Sequence, residues 1–344
     1  MNIRTISRLS ALGAIAGLAT SAHAAFQNGD LIYTDALSNT VNINSGGVNS
    51  NLYTFGGPDI RLAGITRANG RWYINSGFAS PSDPSEAAIF ELKKLFGNTV
   101  ESTLASSNPL LNPIGIAYHR ASDRLLSINN PGPGSQPDEG ILGTRTSDGD
   151  VIFTFEEDPT GPFPRHQAAS RIVRDTSNPD VFYTISVNGG VLQGPGNEGK
   201  GSVIYRLDVD NDGVGTVAPV ADLSFTSFGN ITFVRGIATD GQSFFFGDNQ
   251  TNAIYSLDIS GDLTTLQQIV TGVTRPNDII YNPFTNKIIW SDNFDEAIYQ
   301  VNVDGTGFET LATGVNARGL YVIPTPGAAA LLGLAGLVGV RRRR

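Results

Sequence analysis

The chain has 344 residues, with 40 glycines, 18 prolines, no cysteine and only 16% charged residues. The lack of cysteine excludes a disulfide framework and thiol chemistry, and a formal net charge of −9 argues against binding nucleic acid through the bulk field. Few segments show helical periodicity and turn residues recur throughout, which is typical of an all-β domain with many short strands.

Residues 1–24 are predicted to be a secretory signal peptide. Arg4 and Arg8 give a positive start, residues 9–20 are apolar, and Ala22-His23-Ala24 is a small-x-small cleavage site. A buried N-terminal helix is the alternative interpretation. Without this segment and the C-terminal tail described below, the chain loses six arginines and no acids, which takes the formal net charge to −15.

Short strands follow in a repeating order. The most regular unit, residues 275–311, contains four strands joined by tight turns, as in an antiparallel meander. Such a sheet cannot bury both faces alone, so copies of it must stack. Second strands of the unit are predicted at residues 31–35, 71–75, 125–129, 181–185, 244–248 and 288–292. Most of them end in Asp or Asn, which close a strand through a turn between side chain and backbone.

First strands are predicted at residues 63–66, 114–117, 171–173, 235–238, 278–280 and 318–321, several with a glycine near the start. Third strands are predicted at residues 40–43, 88–92, 141–144, 203–208, 253–258 and 297–302. Glycine suits strands that crowd around a central axis, because it brings no side chain.

The order of the strands predicts how the domain closes. The body, residues 25–323, opens on a second strand and ends on a spare first strand at residues 319–323. If these two pair, a ring of six four-stranded blades closes through its ends and no sheet edge stays exposed. The sequence thus predicts an all-β, six-bladed β-propeller; two stacked β-sandwiches are the alternative, and they would not need this permuted order.

Two units resemble the six-bladed propellers of the YWTD and NHL type. Ile289-Trp290-Ser291-Asp292 and Ile32-Tyr33-Thr34-Asp35 stand at the Tyr-Trp-Thr-Asp position, and Val303-Asp304-Gly305-Thr306 is similar to the Leu-Asp-Gly-Ser turn. The resemblance implies the propeller fold more than it implies a function.

The C-terminus, residues 324–344, is predicted to be a sorting tail. Residues 327–340 are apolar and four arginines follow; as a helix the segment would span about 21 Å, short of the roughly 30 Å hydrocarbon core. With Pro324-Thr325-Pro326 in front, the tail resembles bacterial PEP-CTERM tails, although Thr325 replaces the usual Glu. The resemblance implies an exosortase-like processing enzyme as partner, transient inner-membrane anchoring and delivery to the cell surface or matrix.

Four long irregular segments are expected on one rim of the propeller, over the central tunnel. They are residues 78–86, 130–140, 156–169 (which contains His166) and 188–201. Loops on a rigid scaffold are the usual place for binding. Tolerated insertions without function are the alternative.

Polar residues that open the innermost strands should point towards the tunnel on the same face. They are Arg171, Arg235, Asn277, Asp278 and Arg318. Arginines around one mouth could hold a carboxylate or sulfate through bidentate contacts. The alternative is that they pair with acids such as Asp278 or with nearby carbonyls.

Asp208, Asp210 and Asp212 alternate as in a calcium loop, and Ca²⁺ is the one cofactor that the sequence suggests. Pro219 stands where the bidentate Glu of such a loop belongs, so a structural turn between strands is the competing interpretation.

The sequence as a whole predicts an exported, non-enzymatic propeller that binds or scaffolds, with an extracellular polysaccharide or surface protein as partner. The alternative is a metal-dependent lactonase like the gluconolactonase and regucalcin propellers, which hold a divalent metal with a Glu, an Asn and an Asp. Arg275-Pro276-Asn277-Asp278 resembles the Pro-Asn-Gly segment that supplies their Asn, but no Glu begins the first inner strand.

Overall fold

The computed structural model describes residues 26–56, 60–77, 87–95, 98–106, 110, 113–129, 140–156, 171–186 and 201–324. These residues form six four-stranded antiparallel sheets arranged as a β-propeller, which confirms the predicted fold class. A short 3-10 helix at Leu263–Thr265 is found among the same residues. Within these ranges no helix is long and apolar enough to cross a membrane. The predicted signal peptide, the four long rim segments in all but their terminal residues, and the tail beyond Pro324 lie outside the described residues.

The strands of the first half are β1 (Leu31–Asp35), β2 (Thr40–Ser45), β3 (Val48–Thr54), β4 (Leu62–Ala68), β5 (Arg71–Ser76), β6 (Ala88–Leu95), β7 (Asn98–Ser106), β8 (Pro113–His119), β9 (Arg124–Asn129), β10 (Gly140–Arg145) and β11 (Val151–Glu156). Those of the second half are β12 (Val173–Arg174), β13 (Val181–Ile185), β14 (Val203–Val209), β15 (Gly215–Asp222), β16 (Val234–Thr239), β17 (Ser243–Asp248), β18 (Ala253–Asp258), β19 (Gln267–Thr271), β20 (Pro276–Asn282), β21 (Lys287–Asp292), β22 (Ala297–Asn302), β23 (Glu309–Thr313) and β24 (Ala317–Val322).

The ring closes through the two ends of the propeller domain, as predicted. Blade 1 has the order β24-β1-β2-β3, whereas blades 2 to 6 take four consecutive strands each, starting from β4, β8, β12, β16 and β20. Leu31 pairs with Val322 and Tyr33 with Leu320 across the closing ladder. The ladder extends beyond the strands, since Ile323 donates its backbone N–H to Asp30 at 3.0 Å.

The innermost strand of each blade is the first one, and these strands contact one another around the axis from β12 through β16, β20, β24 and β4 to β8. Glycines permit this approach. A Cβ on Gly64 would lie 2.9 Å from the backbone nitrogen of Ile116 in the next blade, and one on Gly236 would lie 2.8 Å from that of Ile279. Real Cβ atoms do not approach backbone so closely, so the crowding predicted from the glycines is confirmed.

Aspartates at the ends of second strands tie two loops together in three blades. Asp292 is fully buried. It accepts backbone N–H groups from Phe294 (3.0 Å) in the loop that follows and from Arg275 (2.8 Å) in the linker that enters the inner strand. Asp35 and Asp248 bond the equivalent loop and linker of blades 1 and 5. The predicted closing role of these residues is therefore confirmed, and each fixes where its inner strand begins.

Apolar clusters fill the spaces between adjacent blades. Trp290, the largest fully buried side chain, packs with Ile279 and Ile288 against Phe245 of the preceding blade. Sheets that are buried in this way on both faces explain the near-continuous burial of the second strands, such as Leu31–Asp35 and Val181–Ile185. The result is a rigid ring that holds the ends of six inner strands at fixed positions.

Candidate functional site

The tunnel has two ends, and the candidate site lies at the end where the inner strands begin, termed the upper mouth. Inner-strand starts pair with second-strand ends there: Pro276 with Asp292, Leu62 with Ser76 and Pro113 with Asn129. The strand ends that flank residues 78–86 and 130–139 are at this same end. These segments, and residues 157–170 with His166, lie outside the described residues.

Four consecutive inner strands carry an arginine at their start. Arg235 is the second residue of β16, Arg275 immediately precedes β20, Arg318 is the second residue of β24, and Arg61 immediately precedes β4. These four are termed the arginine cluster. Sequence analysis identified Arg235 and Arg318 but missed Arg61 and Arg275 as site residues, although an Arg at the start of a predicted first strand was the available signal.

Arg235 is the most enclosed member of the cluster. Its guanidinium lies over the ring of Phe233, with Cζ 5.0 Å from the ring centroid, and its Nη1 donates to Asn277 Oδ1 at 3.3 Å. Its Nε is buried and has no hydrogen-bond partner among the described residues. Burial, followed by the charges of Arg275 and Arg318, lowers the pKa of Arg235 to about 10. The environment thus opposes this positive charge, first through burial and second through the neighbouring arginines.

Arg318 is also partly buried and lies close to other arginines of the cluster. Its Nε donates to Asn316 Oδ1 at 3.3 Å, and burial together with Arg61 and Arg275 lowers its pKa. The four members form no ion pair with any carboxylate in the described part of the chain, where the ion pairs involve other bases. The cluster is a concentration of positive charge on a chain whose net charge is negative.

Arg171 behaves differently and follows the pairing alternative. From blade 4 its Nη1 reaches Asp278 Oδ2 of blade 6 at 2.8 Å and the Leu320 carbonyl of blade 1 at 2.9 Å, so its side chain spans the tunnel. Asp278 is fully buried and also accepts the backbone N–H groups of Leu320 (2.8 Å) and Ile279 (2.9 Å). Burial raises the pKa of Asp278, and Arg171 with the two N–H groups opposes that rise.

A cavity of about 320 Å³ lies at the opposite end, the lower mouth. Arg171 forms its upper wall, and residues from the far ends of the inner strands and their turns form the rest, among them Arg174, Tyr281, Phe284 and Tyr321. Arg171 therefore separates this cavity from the arginine cluster.

Asp208 is the last residue but one of β14, and Asp210 and Asp212 lie in its connection to β15. Asp210 Oδ1 accepts the backbone N–H groups of Asp212 and Val214, both at 2.9 Å, and Asp208 pairs with Arg206 at 2.7 Å. No group of three or more His, Cys, Asp or Glu suited to a metal is found among the residues described. The contacts are those of a turn, and the Ca²⁺ hypothesis stays a prediction.

Comparison with known proteins supports the propeller fold. No protein-family model matches the chain, and no curated protein matches it. Among solved structures, a chain of the nidogen–laminin complex is similar over 85% of this chain and 97% of its own, with a TM-score of 0.60 and 14% identity.

Two further similar structures are those of an enzyme and of a calcium-binding protein. A streptogramin B lyase matches with a TM-score of 0.51 and 14% identity, over 82% of this chain and 78% of its own. Regucalcin from Agrobacterium tumefaciens, a calcium-binding protein, matches with a TM-score of 0.51 and 15% identity, over 80% and 87%. At these identities the likeness establishes a six-bladed propeller whose neighbours include both binding and enzymatic proteins.

Proposed function

We propose that the protein is an exported, non-enzymatic propeller that binds a ligand at the upper mouth and serves as a binding or scaffolding module at the cell surface or in the extracellular matrix. The observation that supports the proposal is the arginine cluster. Charged side chains that a rigid ring holds around one mouth of its tunnel are well placed to bind a ligand. The partner that we propose for this module is an extracellular polysaccharide or a surface protein.

The same residues disfavour the lactonase alternative. Asn277 is the metal ligand that the lactonase resemblance implies, but its Oδ1 accepts from Arg235, and the neighbouring Asp278 is engaged by Arg171. The positive charges of the arginine cluster would also repel a divalent cation, and such repulsion is strong where water is partly excluded. Side-chain chemistry at the mouth thus supports binding of a ligand rather than metal-assisted hydrolysis.

The proposed location rests on the two ends of the chain. Residues 1–24 would direct export, and residues 324–344 would anchor the protein transiently in the inner membrane until an exosortase-like enzyme acts at Pro324-Thr325-Pro326. Pro324 is exposed and directly follows Ile323, whose backbone is bonded to the ring, so the processing site would be accessible at the edge of the described body.

The test uses the protein recovered from the surface fraction of an expressing bacterium. A glycan array and a pull-down on extracted matrix polysaccharide measure binding, while metal analysis and a lactone-hydrolysis assay measure the alternative. We expect saturable binding to a matrix component and no turnover. Stoichiometric tunnel-bound metal with lactone hydrolysis would contradict the proposal, as would the absence of binding to any matrix fraction.

A further inference from the structure

The arginine cluster poses an electrostatic problem that the described protein atoms do not solve. Partly buried charges are tolerated when an opposite charge or hydrogen bonds compensate for lost water. Arg235 has one amide oxygen as acceptor, a buried Nε without a partner, and two other guanidinium groups near it. Positive charges gathered in a partly buried site need a counter-charge, which a bound anion would supply.

We propose that the upper mouth binds a compact oxyanion with at least two negative charges, a sulfate, a phosphate or a di- or tricarboxylate group. Arg235 and Arg318 would make the direct contacts, and Arg61 and Arg275 would complete the site at its entrance. This inference rests on the proposed function, since it names the chemistry of the ligand that the binding module takes.

The orientation of Arg235 supports an oxyanion in particular. Phe233 packs on one face of its guanidinium and Asn277 occupies Nη1. The edge formed by Nε and Nη2 makes no hydrogen bond within the described part of the chain, and such an edge matches two oxygens of a carboxylate, sulfate or phosphate. Arg318 uses its Nε on Asn316, so its two terminal nitrogens remain for the same ligand. Both side chains are held in place before the ligand arrives.

The charge of the whole protein argues for a compact group rather than a long polyanion lying across the surface. The net charge is −9, so a polyanion would meet an acidic body outside the mouth. Exposed charges are screened beyond about 8 Å at physiological salt, so a small anion, or the charged end of a chain, experiences mainly the four nearby arginines. A singly charged or neutral ligand would leave most of their repulsion in place.

The experiment measures binding of sulfate, phosphate and citrate by calorimetry and by the shift in melting temperature, with acetate and chloride at matched ionic strength as controls. Matched ionic strength and low anion concentrations separate specific binding from general salt effects on stability. Arg235→Gln and Arg318→Gln test the site. Arg206→Gln is the matched control, because it removes an equal charge from an exposed Arg–Asp pair on the middle of blade 4.

We expect one saturable site for the multivalent anions, weak or no binding of acetate, and affinity lowered about tenfold or more by Arg235→Gln, the loss expected for a charge-assisted contact. Arg206→Gln should bind as the wild type does. In the absence of multivalent anions, Arg235→Gln should melt at the same temperature as the wild type or higher, because it removes an uncompensated charge. A purely structural arginine would produce the opposite change.

Two outcomes would overturn the inference. Absence of binding by all three multivalent anions is one, and a lowered melting temperature of anion-free Arg235→Gln with full anion response is the other, since it would show that the protein itself neutralises Arg235. Absence of anion binding, together with matrix binding that Arg235→Gln leaves intact, would refute the anion site and keep the proposed function. Lactone hydrolysis together with anion binding would refute the proposed function and keep the anion site.

Discussion

At the scale of single residues, Arg171 and Asp278 show how one ion pair organises the tunnel. Asp278 is 1% exposed and has three donors, two of which come from backbone that it helps to position in blades 6 and 1. A buried pair of this kind adds little stability compared with apolar residues, but loss of one partner leaves a charge without compensation. Its role is therefore to fix blades 4, 6 and 1 relative to one another across the axis.

The first prediction concerns this pair. Arg171→Met should lower the free energy of unfolding by about 3 kcal/mol near neutral pH, because Asp278 stays buried without its cation. Burial already raises the pKa of Asp278 and Arg171 opposes that rise, so the variant raises it further. A carboxyl whose folded pKa is raised loses stability as pH increases through that pKa. The deficit of the variant should therefore shrink between about pH 7 and about pH 5, measured by urea unfolding of both proteins.

The double variant Arg171→Met, Asp278→Asn is the control for this prediction. It removes both charges, and the amide oxygen keeps an acceptor for one of the two N–H groups, which bond to different oxygens of Asp278, so part of the lost stability should return. An equal deficit of the single variant at both pH values would show that packing, and not the unpaired carboxylate, causes the loss.

At the scale of elements, the approach of inner strands to one another decides the width of the tunnel. Gly319 of β24 lies so close to β4 that an added Cβ would overlap the Ala63 carbonyl oxygen. The same backbone is held by Thr34, whose hydroxyl donates to Ala63 O at 2.7 Å and accepts from Gly319 N at 2.8 Å. Neither strand can retreat without breaking this bridge, so the glycine is required by packing.

The second prediction concerns the substitution of Gly319 by alanine. Gly319→Ala should destabilise the protein by about 3 kcal/mol or more, since overpacking against backbone cannot be relieved by rotation of a side chain. Gly56→Ala is the matched control, because no atom of the described residues lies within 4 Å of its Cβ position and its φ is outside the left-handed region. That change should be neutral or stabilising by up to about 1 kcal/mol through the unfolded state. Thermal and urea unfolding compare the two, and similar effects would contradict the packing argument.

The third prediction concerns the strand-end aspartates. Asp292→Ala removes a buried acceptor shared by the N–H groups of Thr274, Arg275, Phe294 and Asp295, and it should cost about 3 kcal/mol because buried donors are left without partners. Asp304→Ala removes an exposed turn aspartate bonded to Thr306 and should cost about 1 kcal/mol or less. Chemical unfolding of both variants tests the difference; equal losses would mean that burial of the acceptor is unimportant.

At the scale of the whole molecule, stability depends on closure of the ring. β24 pairs with β1 and contacts the inner strands β20 and β4, so one strand joins three blades. An open ring would expose the edge of β1 and the apolar cluster that Ile323 completes with Ile32 and Leu62.

The fourth prediction is a pair of truncations. A chain that ends at Asn316 lacks β24 and should lose cooperative unfolding and its near-ultraviolet circular dichroism, because blades 1, 2 and 6 lose a common strand. A chain that ends at Pro324 keeps the closing ladder and should unfold at the temperature of the full-length protein. Cooperative unfolding of the shorter chain would show that closure is not required.

Most of the fold could be predicted because its signals are local. Each signal acts within a few residues, as do the alternation along β22, the turn residues at positive φ such as Asn286 and the strand-end Asp292. Repetition of these signals gives the number of blades. The site could be predicted only in part. Arg235 and Arg318 were found from their place in the repeat, but the pairing of Arg171 with Asp278, 107 positions apart in sequence, depends on the diameter of the ring.

By itself, the sequence determined the six-bladed architecture, its permuted closure and the crowding of glycines at the axis, because periodicity and turn chemistry are short-range properties of the chain. Only the tertiary structure decided which charges meet. It brings Arg61, Arg235, Arg275 and Arg318, which are far apart in sequence, to one mouth of the tunnel and gives Arg171 alone of the predicted arginines a carboxylate in the described part of the chain. Electrostatic energy depends on distance through space and on burial, and neither can be read from positions along a chain.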